Sequence, residues 1–451
     1  MSMQPGHFVG PSLSALGKEV VARTPSDRDR VVDLVRACAL LLVVLGHWLK
    51  QGLYVDDVGE LRRAGLLGQA EWTHPLTWVF QVMPLVFAVG GFVNGLSWRR
   101  ESARGTSYGA WLRHRVRRLT APLVPLMLLW AAAPLVAPAV GLGPDWLHVA
   151  SKTSLVATWF LAAYLVVVAL VPATYALWQR WRWASIIAGV VVAVDVASLG
   201  MDLPWVGGLN ALVVWGTLHQ CGYAWLECRR RASPLLMAGV AGSLLVALTA
   251  LVVVGPYGVS MVGVDGYGVN NTAPPRLTIL VLGCAQVAGV MALEPLLRRL
   301  AAVPAIWVAV VLVDRRAMTL YLWHLTCLSL LAAVSLSLGG LGLRAIPASE
   351  EWWWGRPAWL LLLLVATVVA VALLGRWEES SPATDTPGST ARAVAEVVAV
   401  VTCVAYLASY GVGRQSDGAG GLVALLCAVS VLAARRWDAT ARRSVTGTSR
   451  P

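Results

Sequence analysis

The sequence predicts an all-α polytopic membrane protein, with a core of ten spans and about two additional transmembrane helices at the carboxyl end. Three observations predict this. Of 451 residues, 57% are hydrophobic and only 13% are charged, and the mean hydropathy is +0.67; a soluble chain carries roughly twice that share of charge. Apolar runs near or above eighteen residues recur from end to end, the length that crosses a bilayer as a helix. The runs are continuous rather than alternating, which selects helices over a barrel. The net charge of +12 would suggest nucleic acid in a soluble protein. Here it reflects basic loops on one side of a membrane, and no nucleic-acid partner is expected.

In chain order, residues 1–30 read as a polar cytoplasmic tail. It has no apolar h-region, so no cleaved signal peptide is expected. The first span covers 31–49. A polar loop with Asp56, Asp57 and Glu60 follows. The second span, 75–98, contains GGFVNG, whose small residues admit a close helix neighbour. The next stretch is the most basic of the chain, and its second half, 108–119, suits an amphipathic surface helix. Further spans are expected at 120–140, 154–177, 183–199, 204–226, 234–255, 275–293, 317–338 and 357–375. The segment 301–313 is too short for a span and reads as interfacial or re-entrant. These ten spans make a membrane domain of 31–376. A polar linker, 377–390, leads to two additional helices within 391–434, expected to pack outside the core, and a cytoplasmic tail, 435–451.

With the amino terminus inside, inner segments hold 27 of the 36 Lys and Arg residues. Both termini are therefore expected in the cytoplasm, in a multi-pass protein of the plasma membrane. Seven cysteines occur without CxxC or metal-ligand spacing, so neither a disulfide framework nor a metal site is expected.

The residues that suggest chemistry begin in the first span. Arg36 and His47 are eleven residues apart, very nearly three helical turns and about 16 Å along the axis, so both side chains leave one face. Ionisable groups at membrane depth face protein or a wet cavity and are functional candidates. The bland alternative for Arg36 is snorkelling to the headgroups, with Asp33 as a partner three residues earlier. His219, beside Gln220, and His324, one turn from Tyr321, lie in or at the ends of other spans; a satisfied interior histidine is the competing account of each. His7, His74, His114 and His148 read as solvated. Arg115 and Arg118 form an RxxR at the mouth of the third span, suited either to anionic lipid or to bidentate recognition of phosphate. Asp195 lies inside the fifth span, where a carboxylate needs an Arg, a His or a cavity. Asn94, Asn210 and Gln286 fit interhelical hydrogen bonds. No Walker loop, Rossmann glycine pattern or GxSxG elbow occurs, so no nucleotide-hydrolysing or redox-cofactor chemistry is indicated.

Together, Arg36-x10-His47 preceded by Asp33, the RxxR of Arg115 and Arg118, and the late MTLYLWH containing Tyr321 and His324 resemble acyltransferase family 3 of integral membrane proteins. LHQCGYAW and NNTAPPRL are similar to stretches of its actinobacterial-type members. The resemblance covers about 27–376. It implies transfer of an acyl group, usually acetyl, from cytoplasmic acyl-CoA to a hydroxyl or amine of a glycan, a lipid-linked sugar or a small molecule. No cofactor is implied beyond acyl-CoA as donor. Arg36, Arg115 and Arg118 would hold the CoA phosphates, with Asp33, Tyr321, His219 and Gln220 also binding substrate. His47 would act as general base or transient acyl carrier, assisted by His324 and Asp195. The two spans beyond 376 depart from the family pattern and suit a partner or a second copy of the chain. A multi-pass transporter or flippase is the competing class, supported by the span number and the intramembrane Arg, Asp and His.

Overall fold

The computed structural model describes residues 24–25, 28–56, 59, 61–182, 184–201, 203–264, 266–378, 390–412 and 419–446. Most of the amino-terminal tail and the linker lie outside them, as do Asp57, Glu60 and His7.

The chain is built from helices. Helix α1 (Arg30–Lys50) starts at Asp29, whose side chain accepts hydrogen bonds from the Val31 and Val32 amides. A small hairpin follows, with β1 (Gln51–Val55) antiparallel to β2 (Leu61–Gly65). Then come α2 (Met83–Ala103), α3 (Tyr108–Thr120), α4 (Leu123–Val136), α5 (Pro144–Leu155), α6 (Thr158–Ala169), α7 (Val171–Trp181) and α8 (Ala184–Asp195). The second half comprises α9 (Asn210–Cys228), α10 (Pro234–Val254), α11 (Leu277–Ala292), α12 (Glu294–Ala302), α13 (Pro304–Arg315), α14 (Ala317–Ser337), α15 (Glu350–Leu374), α16 (Thr390–Tyr410) and α17 (Ala419–Thr446). Several begin with proline in the first turn, where its missing amide costs nothing.

Among the described residues, seven helical segments are long and apolar enough to cross a membrane, and nine if each bent pair counts once. The bent pairs are α3 with α4, at 49°, and α11 with α12, at 63°. The remaining three of the twelve expected spans fall on α8, α9 and α17. The apolar stretches at α8 and α17 are short, and α9 carries Asn210, His219, Gln220 and Glu227. The fourth span starts ten residues before its expected position, at Pro144. His74 was expected to be solvated. It is buried, and its Nε2 lies 2.7 Å from the Leu67 carbonyl. The expected surface helix 108–119 is α3, which buries Trp111, Leu112 and Val116.

Two packing features position the site. The GGFVNG segment brings α2 against α9 so closely that a Cβ on Gly91 would lie 1.7 Å from the His219 carbonyl oxygen. A Cβ on Gly222 would lie 2.0 Å from the Ala88 oxygen. The added helices α16 and α17 do not stand apart from the core. Val397, Val400, Val404 and Leu407 of α16 are buried in the main apolar cluster with Leu161 and Leu165 of α6. The Thr158 hydroxyl donates to the Val404 carbonyl at 3.1 Å, and Ser151 donates to the Val412 carbonyl at 2.9 Å.

Candidate active site

Helix α1 meets two consecutive helices at two levels, α13 through Arg36 and α14 through His47. At the first, Arg36 is gripped by carboxylates. Its Nε donates to Asp314 Oδ1 at 2.9 Å, and its Nη2 lies 2.7 Å from Asp314 Oδ2 and 2.9 Å from Asp33 Oδ1. Arg28 also contacts Asp33, and its Nη2 lies 3.5 Å from Asp314. Arg36 therefore does not snorkel free of the protein; two carboxylates fix its fork. It opens on a cavity of about 590 Å³ that Arg118, Arg315, Arg316 and Glu378 also line. Glu378 accepts from the Met318 and Thr319 amides at 3.0 and 2.9 Å, and so caps the start of α14.

At the second level, His47 Nδ1 lies 2.8 Å from His324 Nε2, with the ring planes only 9° apart. Bonding partners dictate the tautomers. His324 Nδ1 lies 2.6 Å from the Tyr321 carbonyl, which can only accept, so Nδ1 carries the proton. Nε2 of neutral His324 is then a lone pair. It accepts from His47 Nδ1–H, which leaves the lone pair of His47 on Nε2. Three further bonds hold this pair. The Tyr321 hydroxyl donates to the Ala157 carbonyl at 2.8 Å, Trp48 Nε1 donates to the His324 carbonyl at 3.2 Å, and Arg356 donates to the Trp48 carbonyl. His324 is fully buried, whereas His47 keeps accessible surface.

Between the two levels stands Tyr164, within electrostatic range of Arg115, Arg36 and Arg118. Its hydroxyl accepts from Asn94 Nδ2 at 3.1 Å, and the same amide lies 3.1 Å from His219 Nε2. A chain of aromatic contacts runs from His219 through Tyr164, Phe160 and Tyr321 to His324. Arg115 and Tyr164 are each partly accessible.

The structure thus brings Asp33, Arg36 and Arg118 to one cavity, His47, His324 and Tyr321 to one hydrogen-bonded group, and His219 to a third, linked group. Gln220 is buried next to His219. Asp195 lies elsewhere. Its oxygens accept from Asn210 at 2.8 Å, Tyr257 at 2.9 Å, Arg276 at 3.2 Å and the Leu277 amide at 2.9 Å. Among the described residues that network makes no hydrogen bond to the histidine pair. It ties the loop after α10 to α8, and burial together with the adjacent Asp195 carboxylate pushes the Tyr257 hydroxyl above its usual range. Sequence reasoning passed over Asp314, Arg276, Tyr164 and Glu378. Asp314 carried a signal, a lone acid between an apolar run and two arginines in VLVDRR.

A family model described as an acyltransferase domain matches residues 29–376. The chain belongs to acyltransferase family 3. No curated protein and no solved structure matches it. Membership makes this chain a membrane acyltransferase and answers the choice between enzyme and transporter in favour of the enzyme. The match contains both levels, the α1–α13 contact at Arg36 and the α1–α14 contact at His47. It stops two residues short of Glu378, so the acyltransferase domain borrows the cap of α14 from the segment that follows. Helices α16 and α17 lie beyond it.

Proposed function

We propose that this acyltransferase takes an acyl group, acetyl in the simplest case, from cytoplasmic acyl-CoA and transfers it to a hydroxyl or amine. The acceptor belongs to a glycan, a lipid-linked sugar or a small molecule. The observation that carries the proposal is the hydrogen-bond chain in which His47 donates to His324 and His324 donates to the Tyr321 carbonyl, which leaves His47 Nε2 as an oriented base. In this reading His47 Nε2 takes the acceptor proton as the acceptor oxygen or nitrogen attacks the thioester carbonyl. The C–S bond breaks as the new C–O or C–N bond forms. The CoA thiolate then receives the proton from the His47 imidazolium. His324 serves as a positioning residue, since its own ring nitrogens are both engaged.

Donor binding is assigned to the other level. The cavity beside Arg36 and Arg118 has guanidinium groups suited to the pyrophosphate of CoA. The rise of α1 from Arg36 to His47, about 16 Å, is comparable to the reach of a pantetheine arm. The excess of basic residues on inner segments supports a plasma-membrane protein with both termini in the cytoplasm.

The test uses sealed inverted vesicles and labelled acetyl-CoA, with wild type compared with His47→Ala at equal insertion. Label should enter a lipid or glycan fraction with wild type only. Equal transfer by the variant would remove His47 from the mechanism, and purified wild type that failed to bind CoA would remove the donor.

A further inference from the structure

A second cavity, of about 750 Å³, lies on the other side of the amino end of α1. Seven arginines and two carboxylates line it. The carboxylates are already spent. Asp29 pairs with Arg229 and Glu227 with Arg182 at 3.6 Å; Glu294, outside the lining, also holds Arg229 and pairs with Arg298 at 2.5 Å. Arg229 is 7% exposed in its side chain and lies over the Phe92 ring; it is the structural arginine of the group. Arg99, at the end of α2, and Arg230 and Arg231, just after α9, have no carboxylate partner among the described residues.

Anchoring arginines would spread over a convex surface to meet headgroups. These three instead converge on a concavity from two helix ends, and the buried Arg229 ion pairs fix the chain immediately before Arg230. A cavity of this size accommodates a small ligand. Surplus guanidinium groups in a cavity select an anion with several acceptor oxygens, and a phosphate ester offers the matching fork geometry. The cavity is distinct from the one beside Arg36 but not remote from it. A third, smaller cavity shares Asp29 and Arg298 with it and Arg28 with the Arg36 cavity, so the three ring the start of α1.

We infer that the cavity formed by Arg99, Arg230 and Arg231 is a second phosphate-ester site, separate from the one assigned to the CoA pyrophosphate. Two sources carry this chemistry, the 3′-phosphate of the acyl donor and the headgroup of an anionic phospholipid. Only the first source rests on the acyl-CoA reading.

The experiment compares wild type with Arg230→Gln/Arg231→Gln and with Arg99→Gln, all in nanodiscs. These side chains are exposed, so thermal unfolding should not change. Binding of CoA and of 3′-dephospho-CoA is measured in phosphatidylcholine discs, and binding of phosphatidylglycerol is measured separately. If the donor's 3′-phosphate occupies the site, the variants lose about tenfold of the preference for CoA over 3′-dephospho-CoA, and binding of the latter is unchanged. If a lipid headgroup does, that preference survives and phosphatidylglycerol affinity falls about tenfold. Retention of both by the variants would overturn the inference. Should wild type bind neither nucleotide, the donor reading fails by itself, and the lipid measurement still decides the site.

Discussion

Arg36 and Asp314 meet side-on, through one contact of 2.9 Å and one of 2.7 Å, although 278 residues separate them. A guanidinium held this way is not a loose surface charge. Its orientation is set by the protein before any ligand arrives, as recognition of a second, incoming anion requires.

Replacement of Asp314 by Asn should therefore act twice. It removes one carboxylate from a largely buried pair, while Arg36 keeps Asp33 and 28% of its side chain exposed. The stability loss should be about 1–2 kcal/mol, well below that of a fully buried broken pair. Acetyl-CoA affinity should fall as Arg36 loses its orientation. Thermal unfolding and donor binding on the same preparation check both effects.

The histidine pair predicts a non-additive series. His47→Ala should lower kcat about a thousandfold, and His324→Ala about a hundredfold through loss of the tautomer and orientation of His47. The double variant should be no worse than His47→Ala, because residues that act as one unit do not sum. Donor KM should hardly move in any of the three.

Asp195 calls for the opposite pattern. Its four donors make it a structural acceptor, so Asp195→Asn should lower unfolding stability by about 1–3 kcal/mol. The fraction that remains folded should turn over at the wild-type rate. A large fall in kcat at unchanged stability would return Asp195 to the chemistry.

Glu378 predicts where the functional domain ends. Glu378→Ala exposes the Met318 and Thr319 amides at the start of α14 and should cost about 1–2 kcal/mol. A chain that ends at 376 should be less stable and less active than one that ends at 389, which keeps the cap.

Much of this was legible in the sequence, for definable reasons. Apolar run length dictated the helices, and helical periodicity placed Arg36 and His47 on one face. The glycines of GGFVNG foretold a close helix neighbour, because a backbone without side chains admits another, but not that the neighbour is α9. What stayed hidden was pairing between distant segments. Nothing local joins His47 to His324, or Asp314 to Arg36, since those contacts arise only when α1 lies against α14 and α13. The start of α5 at Pro144 was missed because polar Asp145, His148 and Lys152 dilute its hydropathy. The attachment of α16 to α6 was missed because an apolar helix carries no mark of whether it faces lipid or protein.

The two-level contact of α1 with α13 and α14 has a consequence for which thioesters this protein could use. Pinned to α13 at the Arg36–Asp314 ion pair and to α14 at the two imidazoles, α1 cannot slide by a turn without breaking both ties. The separation of the levels is thus a fixed gauge. Under the proposed mechanism, a donor seated by its phosphates presents its thioester at a depth set by the length of its own arm. A carrier shorter by even a few bonds would stop below the base. A longer acyl chain, by contrast, extends past the gauge, and its acceptance would be governed by whatever residues lie beyond His47.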